Sequence, residues 1–115
     1  MSILRSHYRQ STNPGKVAQF LFENANAAEN GNSPSFSPNG KPGFILIRGD
    51  DYTGVTVTLQ TSSVNDTGAR WEPMVDGVFS ANADVPLEDL PADLLIRAVL
   101  AGAGAGDNIT VEVLQ

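Results

Sequence analysis

The sequence predicts an all-β protein, a single antiparallel β-sandwich of jelly-roll or immunoglobulin-like type with an extended N-terminal arm. Three observations predict it. Ile109, Val111 and Val113 alternate with Thr110, Glu112 and Leu114, and Val55, Val57 and Leu59 alternate with Thr56, Thr58 and Gln60, the period of two expected of strands with one wetter face. Between residues 43 and 79 short apolar runs are separated by clusters of turn formers, the spacing of a sandwich. The chain has 115 residues, 41% of them hydrophobic, so it fits one domain that buries roughly two-thirds of the surface its unfolded form exposes.

Residues 1–16 read as the arm, and residues 17–115 as the sandwich. The first sixteen residues carry Arg5, Arg9 and Lys16 with Ser6, Gln10, Ser11, Thr12, Asn13, Pro14 and Gly15, a polar run without apolar periodicity. Val17 to Glu23 reads as a short strand with Phe20 and Phe22 on one face. Residues 24–42 hold five Asn, three Pro and three Ser and read as a long polar loop, with Phe36 as its only large apolar side chain. Structureless connections of that length are usually functional or mobile.

Phe44-Ile45-Leu46-Ile47 is continuously apolar, as in a strand buried on both faces. A turn-rich connection, Arg48 to Gly54, leads to Val55–Gln60, and the two strands form one expected hairpin. Ser62 to Gly68 is a further turn cluster. Trp71, in the strand that follows, is expected in the core with its indole N–H bonded, and Pro73 marks that strand as an edge or an end. Asp76-Gly77 supplies a tight turn before Val78 and Phe79.

Residues 91–101 fit two templates. Pro91 near the start, Leu94, Leu95, Ala98 and Val99 at helical spacing and Gly102 beyond the end suit a helix. Leu94, Ile96, Ala98 and Leu100 on one face with Arg97 on the other suit a strand, and consistency with the remaining chain selects the strand. The Gly-rich run Gly102 to Asn108 then reads as the tip of a second hairpin that pairs Leu94–Ala101 with Ile109–Leu114.

Charge is unevenly distributed. The formal net charge is −6, yet the first sixteen residues carry three basic and no acidic side chains, so residues 17–115 hold four basic against thirteen acidic, a balance of −9. Such a body repels nucleic-acid backbones, whose binding depends on Lys and Arg neutralising phosphates. No apolar run reaches the roughly 18 residues that a membrane span needs, and Met1 to Arg5 lacks the apolar region of a signal peptide. With no Cys, disulfides and thiolate chemistry are excluded.

Motifs with chemical meaning are few. Arg48-Gly49-Asp50 spells the cell-adhesion tripeptide, although Gly-Asp is also ordinary turn chemistry. The scattered Asp residues do not match the spacing of a calcium loop. Glu72, Glu88, Asp89 and Asp93 could supply a glycosidase-like carboxylate pair, but their sequence positions set no geometry. Gly102 to Gly106 lacks the Lys-Ser/Thr that completes a phosphate cradle. No enzymatic activity, cofactor or metal is expected.

Val55–Gln60, then Ala69-Arg70-Trp71-Glu72, then Leu90-Pro91-Ala92 before Leu95-Ile96-Arg97-Ala98, and finally Ile109 to Val113 resemble the small β-sandwich virion proteins of tailed bacteriophages, of the capsid decoration or cement type. The resemblance covers about residues 43–115. It implies a non-enzymatic protein made in the host cytoplasm that binds the outer surface of the major capsid protein lattice in the virion and stabilises the head. It further implies self-association, expected as a homo-trimer, and no nucleic-acid or membrane partner. Many weak contacts on a repeating lattice add up by avidity, and the candidate capsid or subunit contacts are Arg5, His7, Tyr8, Arg9 and Lys16 of the arm and Phe36 of the polar loop. The alternatives are a carbohydrate- or host-surface-binding module of a head fibre or tail, and a structural component of the neck or tail.

Overall fold

A computed structural model describes residues 8–10, 17–38, 42–64, 70–87, 90 and 93–115, with the backbone alone for residues 8–10, 17 and 18. The described residues form nine strands: β1 (Tyr8–Gln10), β2 (Val17–Ala25), β3 (Gly31–Asn32), β4 (Phe44–Arg48), β5 (Thr56–Ser63), β6 (Glu72–Phe79), β7 (Ala83–Pro86), β8 (Leu94–Ala101) and β9 (Ile109–Leu114). One 3-10 turn, Ala27–Glu29, lies between β2 and β3.

Two antiparallel sheets result, a five-stranded sheet A in the order β1-β2-β9-β4-β7 and a four-stranded sheet B in the order β3-β8-β5-β6. The pairings β2 with β9, β3 with β8, β4 with β7 and β5 with β6 are nested, as in one long antiparallel ribbon whose tip lies between β5 and β6. The ribbon is rolled so that β9 also pairs with β4 and β8 with β5. That connectivity is a jelly roll, a sandwich that hides most strand edges by rolling up, and it selects between the two sandwich types the sequence allows.

The core follows from alternation. Ile45, Ile47, Ile109, Val111 and Val113 of sheet A and Val57, Leu59, Ile96, Ala98 and Leu100 of sheet B point into one cluster and are almost fully buried. Their neighbours Leu46, Thr110 and Glu112, and Thr58, Gln60, Arg97 and Val99, lie on the outer faces. Residues 94–101 are therefore strand, as the alternating template requires. In β2 the register slips between Phe20 and Phe22, a bulge that drops Leu21 and Phe22 together into the core. Phe20 pairs with Glu112 across the other face, so Phe20 and Phe22 do not share one.

Several expectations are corrected. Neither predicted hairpin forms: β4 and β5 lie in different sheets, as do β8 and β9. Alternation defines each strand's inner face but not its neighbour, and the connections are long enough to cross between layers about 10 Å apart. Gly102 to Asn108 is such a crossing. It is clamped from the β2–β3 connection, where Asn30 Oδ1 accepts from the Ala103 N–H at 3.0 Å and Asn26 Oδ1 accepts from the Asn108 N–H at 3.0 Å.

Phe44–Ile47 is not buried on both faces, since Phe44 is 46% exposed and only Ile45 and Ile47 reach the core. Of the expected 24–42 loop, residues 24–38 are more structured than a polar loop. The 3-10 turn and β3 lie within them, the Ser33 N–H donates to the Ala98 carbonyl while the Ala98 N–H donates to Ser33 Oγ, and Phe36 bridges to Ile96. Trp71 is only half-buried and stands outside the core cluster, on the outer face of sheet B.

Candidate functional site

The sequence-predicted contact residues divide three ways. Arg5, His7 and Lys16 lie outside the described residues. Tyr8 and Arg9 stand in β1, the outermost strand of sheet A, opposite Gln19 and Ala18 of β2. Phe36 is corrected: at 6% exposure it belongs to the core cluster and offers no surface for a partner.

A concavity lies at one end of sheet A, where the end of β2, the connection after β4 and the connection before β7 meet the start of β9. It encloses about 610 Å³ and is lined by Asn24, Arg48, Gly49, Asp50, Asn82, Asn108 and Thr110. Asn24 and Asn108 both adopt left-handed backbone, with φ of 49° and 50°, a conformation that Asn tolerates better than most residues. Those two turns end β2 and begin β9, which places their side chains at the same rim.

Hydrogen bonds tie the cleft into one unit. Asn108 Nδ2 donates to Asp50 Oδ2 at 2.9 Å, and Asn26 Nδ2 donates to Asn108 Oδ1 at 3.2 Å. Asn82 Oδ1 accepts from the Gly49 N–H at 2.9 Å and from the Tyr52 hydroxyl at 2.8 Å. Burial pushes the Tyr52 hydroxyl above its usual pKa, against the opposing positive charge of Arg48. On the rim beyond, the Thr53 N–H, and then its hydroxyl, hold the Asp51 carboxyl below the ordinary carboxylate range.

The adhesion-like tripeptide occupies this wall, and its charges are already engaged. Arg48 Nη2 donates to Asp84 Oδ1 at 2.6 Å, while Nη1 donates to the carbonyls of Ile47 and Ala83. Asp50 accepts from Asn108 and fixes its own N–H on the Asp107 carbonyl at 2.9 Å. An adhesion motif needs a presented Arg and Asp; here both hold the end of the sheet together. Glu72 and Asp93, two of the scattered carboxylates, are both exposed. Among the described residues, no three His, Cys, Asp or Glu side chains gather as a metal site would require.

No family model, no curated protein and no solved structure matches the chain.

A second surface escapes sequence reading altogether. On the outer face of sheet B the Arg97 guanidinium lies 4.3 Å from the centre of the Trp71 ring, and its Nε donates to Gln60 Oε1 at 2.8 Å. The register explains the grouping, because Gln60 stands opposite Arg97 on β8 and opposite Pro73 on β6, two residues after Trp71. The same sheet exposes its largest apolar side chains on β6, with Val75 at 92% and Val78 at 59%. Arg97 and Trp71 are far apart in sequence, so only the β8–β5–β6 order reveals them as neighbours.

Proposed function

We propose that this chain is a non-enzymatic structural protein that decorates the outer surface of a bacteriophage head, bound to the major capsid protein lattice. The observation that carries the proposal is the attachment of the N-terminal segment. Tyr8–Gln10, with Arg9 in it, runs as the outermost strand of sheet A, at the edge of a body of opposite charge. An edge strand in an N-terminal sequence that carries three basic residues and no acidic one suits an anchor that reaches a neighbouring subunit, with the acidic jelly roll as spacer. Jelly rolls serve capsid subunits and lectins alike, so the fold supports the reading without selecting it.

The test is co-sedimentation of the purified chain with shells assembled from the major capsid protein of the same genome. Full-length protein should pellet with the shells, and a chain lacking residues 1–16 should lose at least tenfold in occupancy. Equal occupancy of the two chains would reject the arm as anchor, and failure of both to pellet would reject capsid binding itself.

A further inference from the structure

The outer face of sheet B carries a cluster of polar side chains whose unspent hydrogen-bonding capacity is mostly that of donors. The Arg97 guanidinium lies over Trp71, 4.3 Å from the ring centre, and is steered by its Nε bond to Gln60, which leaves both terminal nitrogens without a partner among the described residues. The Gln60 oxygen is committed to that bond, so its amide nitrogen points elsewhere with two donors available. The Trp71 indole N–H likewise has no acceptor among the described residues. Arg97, Trp71 and Gln60 thus present several N–H donors against one remaining lone pair of the Gln60 oxygen. The contrast with Arg48, whose guanidinium is used on Asp84 and two carbonyls, shows that the fold leaves one arginine spent and the other available.

A guanidinium fixed at Nε with a free terminal edge is the geometry that receives a carboxylate through two parallel bonds. Stacking on an aromatic ring removes much of the rotational freedom that an exposed Arg would otherwise lose on binding. Around it, Pro73, Val78 and Val99 present apolar surface on the same face, with Val78 59% exposed. Trp and Arg surrounded by apolar residues are the composition of binding hot spots.

We propose that this face is a carboxylate-receiving interface between two copies of the chain, with Arg97 of each copy taking an acidic side chain of the other. Charge complementarity selects the occupant. The chain carries thirteen Asp and Glu against seven Lys and Arg, and Asp76 within β6 and Asp93 just before β8 are exposed, so a second copy brings exposed carboxylates on the same sheet that holds the donors. A self-complementary face of this kind closes as a two-fold pair. Three strands of eight residues about 4.8 Å apart make a face of roughly 380 Å², so a pair buries on the order of 750 Å², the size of a weak, concentration-dependent association. The association is independent of capsid binding.

Sedimentation velocity of the full chain over a concentration series, at low and high salt, tests it, with fluorescence of Trp71 as the local probe, since it is the only Trp. The proposal expects a monomer–dimer equilibrium that weakens with salt and a Trp71 emission that changes along the same isotherm. Arg97→Glu should weaken dimerisation at least tenfold. Arg97→Met, which keeps the aliphatic stem and ring contact, should do so too and decides the matter if the Glu variant misfolds. A chain that stays monomeric at every concentration, or a dimer that tolerates Arg97→Met, would overturn it.

Discussion

Gly102 illustrates how single residues hold the crossings of the roll. It leaves β8 with φ of 77°, and a Cβ there would collide with the carbonyl oxygen of Gly54, in the turn before β5. Left-handed backbone and a backbone collision both penalise a side chain, so Gly102→Ala should cost about 2–3 kcal/mol, read as a lower urea midpoint at unchanged slope. Ser62 makes the opposite case. It is 8% exposed and its Oγ has no hydrogen-bond partner among the described residues. Because a buried hydroxyl without a partner costs about 1–3 kcal/mol, Ser62→Ala should raise stability by about 1 kcal/mol in the same experiment. Arg48 and Arg97 show that charge alone does not predict a role: one closes the end of sheet A on Asp84, and the other lies on an indole with its fork open.

At the scale of elements, the strands were largely legible and their partners were not. Leu94–Ala101 and Ile109–Leu114 carry their inner faces in plain alternation, and both form with the expected bounds. The hairpin between them was illegible in a particular way. The residues that make Gly102 to Asn108 a crossing are Asn26 and Asn30, more than seventy positions earlier, whose amides grip Ala103 and Asn108. The β2 bulge was hidden because Leu21 breaks the alternation that the expected shared face of Phe20 and Phe22 assumes. Ala83–Pro86 passed unnoticed because four residues ending in Pro carry too little pattern to announce a strand.

Pairing can be tested chemically in a chain without Cys. Thr58 of β5 stands opposite Val99 of β8 on the outer face, and opposed residues in antiparallel strands have Cα atoms about 4.5–5.5 Å apart, within reach of a disulfide. The Thr58→Cys, Val99→Cys double variant should therefore crosslink within the monomer under mild oxidation, seen as faster migration in non-reducing electrophoresis. A chain that paired β8 with β9 instead would leave both thiols free to alkylate.

At the scale of the whole molecule, the jelly roll separates two kinds of surface. The end of sheet A gathers Asn24, Asp50, Asn82 and Asn108 into a polar cleft whose groups largely satisfy one another. The outer face of sheet B holds, beside exposed apolar side chains, N–H donors of Arg97, Gln60 and Trp71 that have no partner among the described residues. Sequence reading reached the tripeptide in the first and missed the second, because a face assembled from β8, β5 and β6 exists only once the roll is known. Sheet A's outer edge is the strand that holds Tyr8 and Arg9, paired with Gln19 and Ala18 of β2. In the proposed function lattice attachment falls to that edge, and the proposed pairing between copies uses the sheet B face.

The most direct measurement of the central claim is a cryo-EM reconstruction of the capsid shell incubated with the purified chain. The account predicts added density on the outer surface that fits the jelly roll, with the β1 edge of sheet A facing the capsid protein and the segment before Tyr8 continuing onto a neighbouring subunit. A bare outer surface at saturating protein, or density that contacts the lattice through another face with the β1 edge turned to solvent, would contradict it.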